Sequence, residues 1–316
     1  MAKQILARLA AIIPILLGIS IFVFFLMHLA PGDVTDALLG PMATENSKEK
    51  LRQAMGLDRP LIIQYASWMG NILQGDFGVS VHTKRQVSDV VLPRFFNTVV
   101  LALASLAIAL SVGFFVGMYA AARSFSFFDR ISMSITLVIG STPPYWLALL
   151  LVLGFSLELR WFPATGMVTI TGDGGFLDIL HHLVLPALAT AAAPAAIITR
   201  MVRSSMLEVL GQNYIRVARS KGIRRRVILW NHALRNALPP IATIAGLQLG
   251  FLLGGALFTE VVFAWPGLGN QLYYSIIARD VVVVQAAVLV IALTFVLVNL
   301  AIDILNAYLD PRTRTL

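Results

Sequence analysis

Long apolar runs separated by short polar stretches fill almost the whole sequence. The first covers 9–30, and five more follow at 97–122, 132–156, 183–203, 238–260 and 284–308. A hydrocarbon layer of roughly 30 Å is crossed by about 20 helical residues, so each run is long enough to span it. Only the segment from 31 to 96 reads like soluble protein. There "SKEKLRQAMG" and "PLIIQYASWMGNILQG" predict two short helices, the second started by Pro60 and ended near Gly75. Tyr65 and Trp68 on that second helix suit a membrane interface. No internal repeat or linker divides the chain, which predicts a single domain over 1–316.

Composition sharpens this picture. Of 316 residues 58% are hydrophobic and 13% charged, and the mean hydropathy is +0.81, far above a soluble domain. The absence of cysteine excludes disulfides, thiolate metal sites and cysteine nucleophiles. A net charge of +8 could serve nucleic acid, but its distribution points to membrane topology. The first run follows Lys3 and Arg8, is too long for a signal-peptide core and lacks a small-x-small cleavage site, so it reads as a retained helix starting inside. Six spans from that start place 123–131, 204–237 and 309–316 in the cytoplasm. Nine Lys/Arg lie between Arg200 and Arg235, whereas the two short outer loops hold only Arg160 and Arg279. The 31–96 segment, predicted outside, balances seven basic against seven acidic residues.

The inner segment contains "YIRVARSKGIRRRV", Tyr214 to Val227, with six Lys/Arg and no acid. Asn213 is its candidate N-cap and Gly222 its candidate C′ residue, framing about two helical turns. Tyr214, Val217 and Ala218 share one face of such a helix, and Arg216 and Arg219 another. Positive-inside sorting or anionic lipid would account for the charge alone. A defined two-turn helix exceeds what orientation needs, and one so short requires a partner to be stable. After Gly222 the stretch "IRRRVILWNHALRN" is again amphipathic, with Ile223, Val227, Trp230 and Leu234 apolar.

Other chemistry is sparse. Glu158, Glu260 and Asp303 sit toward the ends of the spans, leaving no mid-membrane relay for an ion-coupled secondary transporter, and Asp303 reads as an interface residue paired with a cytoplasmic Arg. His28 reads as an interfacial hydrogen-bonding residue. The pair His181-His182, with Asp178 or Asp173, could suggest a metal site, but adjacent histidines point to different helix faces and read as a solvated loop. Pro143-Pro144, after Ser141-Thr142, interrupts the third run and frees backbone groups, which are tolerated in a membrane beside protein or a water-filled cavity. Ser141, Thr142 and, on the fifth run, Gln248 are therefore candidate lining of a translocation pathway. The Gly-rich "LQLGFLLGGA" is expected to pack helices closely. No catalytic, cofactor-binding or metal-binding residue is expected.

"YIRVARSKG" followed by "HALRNALPP" resembles the cytoplasmic signature of permease subunits of bacterial ABC importers, in the branch that handles peptides and nickel. The general importer pattern has Glu-Ala-Ala before Gly; here Arg216-Val217-Ala218 precedes Gly222 and Leu238-Pro239 follows farther on than usual, both departures that resemble the peptide branch. The likeness extends over nearly the whole chain through "APGD", "GLDRPLIIQYASWM", "GDFGVS", "WFPATG", "LPAL", "FAWPGLG" and "LDPR". "RDVVVVQ" departs from it, since the family usually has an aromatic and Pro after Arg-Asp, which puts the turn at Asp280 in question. The resemblance implies an all-α, type I importer-like permease of six transmembrane helices with both termini cytoplasmic, in a bacterial inner membrane. It also implies a homologous second permease, two ATPases carrying ATP and Mg, and an extracytoplasmic binding protein. The stretch from Tyr214 through Ile215, Arg216, Val217, Ala218, Arg219, Ser220 and Lys221 to Gly222 would then be the ATPase-docking helix. Cargo would be di- or oligopeptides, with nickel chelates or another small solute as the alternative. The chain has no G-x-x-x-x-G-K-[ST], so it would not itself be the ATPase.

Overall fold

Apolar runs in lipid must satisfy every backbone N–H and C=O internally, and this chain does so with helices throughout. The computed structural model describes residues 2–29, 44–56, 58–169 and 174–309. Among the described residues the single β interaction is a bridge between Val79 and Gln86. Helix α1 is Ala2–Leu29. Two short helices follow, α2 at Glu45–Met55 and α3 at Leu61–Leu73, as the sequence predicts. Next come α4, Val87–Ala122, and α5, Phe127–Ser141. Helix α6, Pro144–Leu151, continues as a π-turn through Val152–Glu158. After α7, Phe176–Leu210, comes α8, Asn213–Ser220. Helix α9 starts at Arg225–Val227, passes through a π-turn at Ile228–Leu234 and runs on as Arg235–Gly255. The short helices α10, Leu257–Val262, and α11, Leu268–Ile277, precede α12, Val281–Leu309.

The predicted spans are recognisable but differently bounded. Among the described residues four helices are long and apolar enough to cross a membrane, α4, α7, α9 and α12, and the pair α5–α6, apolar enough when taken together, is bent by 103°. Of α1, the apolar stretch Ala10–Phe25 is shorter than those four. The bend falls at Pro143-Pro144, where two consecutive residues lack N–H groups and the helix cannot continue. Helix α4 begins ten residues before the expected 97. Packing explains the extension: Val87 and Val91 are buried against Leu268 of α11 and Val283, Ala286 and Ala287 of α12. The fifth run ends in α9, so Glu260 belongs to the separate short helix α10.

The centre of the bundle is α4 packed on α7. Their backbones approach so closely that a Cβ at Gly117 would stand 2.6 Å from the Thr199 carbonyl oxygen. In lipid, where apolar surface gains little by being buried against apolar surface, such contact through small residues is what holds helices together. Ala109 and Ala121 of α4, Ile198, Val202 and Met206 of α7, and Ala233, Ala237 and Ile241 of α9 form the inner core. Helix α3 lies against α1 through Ser20 and Tyr65, whose hydroxyls are 2.7 Å apart, and through Phe24, whose ring meets Tyr65 edge-on and Trp68 at a tilt. Both aromatics are half-buried.

At Asp280 the turn is well defined. Its buried carboxylate accepts hydrogen bonds from the Ser80 hydroxyl and from the Val81, His82 and Val283 N–H groups. One side chain thereby caps α12 and holds the 78–86 turn to it. Asp280→Ala leaves several buried donors unpartnered, which is expected to cost on the order of 2–3 kcal/mol, read as a lower thermal-unfolding midpoint. An unchanged midpoint would show that water replaces the carboxylate.

Candidate functional site

At one end of the bundle, α7 projects to Leu210 and the chain turns into α8. Asn213, the expected N-cap, is instead the first helical residue; Gln212 occupies the cap position and makes no side-chain cap bond. The C-terminal expectation holds. Gly222 has φ +74°, its N–H bonds to the Arg219 carbonyl, and the Ile223 N–H reaches back to the Ala218 carbonyl at 3.3 Å. That pair of bonds defines a Schellman cap, and its left-handed residue favours glycine.

The faces of α8 differ from the simple periodicity reading. Ile215 and Ala218 are buried and pack with Ile228, Leu210 and Ile223. Of the face shared by Tyr214, Val217 and Ala218, Tyr214 and Val217 are 39% and 52% exposed, and Arg216, Arg219, Ser220 and Lys221 are exposed around them. The outward surface therefore combines two apolar side chains with a cationic rim. The Tyr214 hydroxyl accepts from Asn236 Nδ2 at 2.9 Å, tying α8 to α9. In the first turns of α9 the buried residues are Ile228, Ala233 and Ala237, while Val227 and Trp230 are exposed. The π-turn at Ile228–Leu234 adds a residue to the turn and so changes the helix phase there.

This platform is bolted to the rest of the bundle. Asp129, at the start of α5, is buried and receives a two-pronged ion pair from Arg203 of α7, at 2.5 and 2.8 Å. The same carboxylate accepts the Phe125 N–H at 2.8 Å, fixing a residue with φ +64°. The Arg225 guanidinium donates to the Ala122 carbonyl at the end of α4. Thus the helices before and after α8 are both tied to the α4–α5 turn.

At the opposite end, "FAWPGLG" folds onto the first turns of α4. Glu260 is fully buried; its Oε1 accepts from the Thr98 hydroxyl at 2.6 Å and its Oε2 from the Asn270 N–H at 2.9 Å. The Thr98 oxygen in turn accepts the Leu268 N–H at 2.8 Å. Trp265, also fully buried, donates its indole N–H to the Asn97 carbonyl, and Asn97 returns a bond to the Pro266 carbonyl. The glycines of the motif follow from this packing. A Cβ at Gly267 would lie 2.3 Å from the Glu260 carboxyl group, and one at Gly269 would lie 2.7 Å from the Leu257 Cα.

The pathway candidates lie apart. Ser141 and Thr142 are exposed or half-exposed at the α5–α6 bend, and their hydroxyls donate to the Leu137 and Val138 carbonyls, which helps to satisfy the broken helix end. Gln248 is half-buried on α9, a helix packed mainly against α4, α7 and α12. Tyr145, just past the bend, stacks on Phe258 of α10 at 6.1 Å. His181 and His182, expected in a solvated loop, are in the first turns of α7: His182 is buried and its Nδ1 is 2.9 Å from the Asp178 carbonyl, and His181 Nε2 is 2.8 Å from the Trp161 carbonyl. Asp303 is half-buried on α12. The side chain of His28, the whole of "APGD", "LDPR" beyond Leu309, and Asp173 lie outside the described residues.

The sequence reading missed Asp129, Arg203 and Thr98, and it placed Glu260 at the end of a span without its partners. Each lies in or beside an apolar run, and only Glu260 carried a signal, an acid just upstream of "FAWPGLG".

The chain folds as a multi-helix membrane bundle with a capped cationic helix at one end. The solved structure of the MetNI methionine ABC transporter, inward facing, matches its fold, with a TM-score of 0.57 at 18% identity over 70% of this chain and 96% of that one. The chain belongs to the family described as binding-protein-dependent transport system inner membrane component, which matches residues 113–315, with the N-terminal region of the same kind of component matching 1–102. It is 39% identical to the dipeptide transport system permease protein DppB of Alkalihalophilus pseudofirmus, covering 99% of this chain and all of that one. It is 40% identical to the oligopeptide permease protein AppB of Bacillus subtilis and to the glutathione permease protein GsiC of Escherichia coli K12, each over 99% of both chains.

Proposed function

We propose that this chain is one of two permease subunits of an ATP-driven importer that carries small peptides, di- or oligopeptides, into a bacterial cell across its inner membrane. The relatives named for dipeptide, oligopeptide and glutathione transport support that cargo class. Six transmembrane helices, α1 among them, place both termini and α8 in the cytoplasm, and put 31–96 with the α10–α11 loop outside. One observation carries the mechanism: α8 presents Tyr214 and Val217 within a rim of Arg216, Arg219 and Lys221, on a chain without a phosphate-binding loop. Energy therefore arrives by contact. ATPases bearing ATP and Mg dock on α8, their closure rocks the bundle, and cargo released by a binding protein passes from the outer face toward the bend at Ser141 and Thr142.

Reconstitution tests this reading. The isolated chain in liposomes is expected to move no peptide under any proton or sodium gradient. Uptake is expected only with the second permease, both ATPases, ATP-Mg and a loaded binding protein. Gradient-driven uptake by the chain alone would instead make it an ion-coupled secondary transporter, with the cationic stretch a topological charge cluster.

A further inference from the structure

Helix α11 begins with N–H groups that have no partner within the helix, and the start of any helix attracts negative charge. Here each of those groups is satisfied. The Gly267 N–H bonds to the Trp265 carbonyl at 2.7 Å, Leu268 to the Thr98 hydroxyl at 2.8 Å, and Asn270 to Glu260 Oε2 at 2.9 Å, with Gly269 also donating to Glu260. Asn270 Nδ2 adds a bond to the Trp265 carbonyl, and the Trp265 N–H one to the Glu260 carbonyl. Arg94, one turn before Thr98 on α4, adds a favourable charge to the carboxylate. One buried carboxylate thus joins three elements: its own helix α10, the start of α11 and, through Thr98, the long helix α4.

A buried carboxylate is costly to desolvate and is kept only where its acceptor capacity is filled. An apolar side chain would fill the space, but it could not accept from α11 and Thr98 together. We propose that Glu260 is a positioning residue that makes the α10–α11 loop and the outer half of α4 one rigid body. A load applied to the loop from outside is then delivered to α4, which packs on α7 and, through Arg203, Asp129 and the α4–α5 turn, reaches the helices flanking α8. The assignment of that load to a docking binding protein rests on the proposed function. The rigidity of the joint does not.

Two measurements on the assembled importer test this, and the native chain's lack of cysteine makes the labelling clean. Spin labels at Phe96→Cys on α4 and Ile277→Cys on α11, both exposed positions, report the joint by pulsed electron resonance. A single narrow distance is expected that does not change on adding binding protein or ATP-Mg. A distance that moves through the cycle overturns the proposal without any change at Glu260. In Glu260→Ala the distribution is expected to broaden, and stimulation of ATP hydrolysis by loaded binding protein to fall about tenfold, while unstimulated hydrolysis stays within about twofold. Glu260→Gln keeps one acceptor oxygen and is expected to fall between the two. Full stimulation with a narrow distance in Glu260→Ala would show that the carboxylate positions nothing. A fixed distance in the parent importer with no stimulation by binding protein would sink the docking reading and leave the rigid joint standing.

Discussion

Peptide uptake is expected to collapse when Arg216 and Arg219 are both changed to Glu, with the chain still folded, inserted and able to pair with its second permease. Neither side chain holds α8 in place: the helix is seated by buried Ile215 and Ala218 against Ile228, and both arginines are exposed. Their loss therefore spares the fold and falls on whatever binds the outer surface of α8. Two charge-assisted contacts turned to repulsion are worth on the order of 3 kcal/mol, about a hundredfold in a docking constant. ATP hydrolysis is expected to lose its dependence on the permease, measured on the reconstituted complex against the parent. Gly222→Val attacks the same surface by a different route, because it puts a β-branched residue at φ +74° and weakens the cap rather than the rim. Unaltered uptake and hydrolysis in the double charge reversal would place the energy-coupling contact elsewhere.

The second large effect is structural. Asp129→Ala removes the acceptor for both prongs of Arg203 and for the Phe125 N–H. Removing one partner of a buried ion pair costs about 3–5 kcal/mol, and the lower end applies here because a quarter of the Arg203 side chain still reaches solvent. The expected result is a marked fall in unfolding midpoint of the detergent-solubilised chain, with increased proteolysis at the α4–α5 turn. Adding Arg203→Met is expected to recover part of the loss, since it removes the stranded charge. A single variant as stable as the parent, or a double variant worse than the sum of its parts, would mean that the pair does not fasten α5 to α7.

Much of the architecture was legible because its causes are local. Hydropathy located the apolar runs, Pro60 and Gly75 bounded α3, Pro143-Pro144 broke the third run, and Gly222 ended α8. Each of these acts within one or two helical turns. The errors share one origin as well. Periodicity grouped Tyr214, Val217 and Ala218 on one face of α8, but contact with Ile228 and Leu210 decides that Ile215 and Ala218 are the buried pair. In α9 no residue pattern announced the π-turn at Ile228–Leu234. Helix α4 gained its first ten residues from packing against α11 and α12.

By itself the sequence determined that this chain lives in lipid, that its charge is concentrated between Arg200 and Arg235, that a short capped helix interrupts the apolar runs there, and that no phosphate-binding loop accompanies it. Those properties follow from composition and near-neighbour chemistry, which are fully written in residue order. Only the tertiary structure decided which polar residues act as joints. Thr98 meets Glu260 across 162 residues, Arg203 meets Asp129 across 74, and Ser80 meets Asp280 across 200. In an apolar bundle a lone Thr, Asp or Glu has no meaning until a second helix brings its partner within hydrogen-bond reach, and that proximity is set by close helix packing at residues such as Gly117, far from either group.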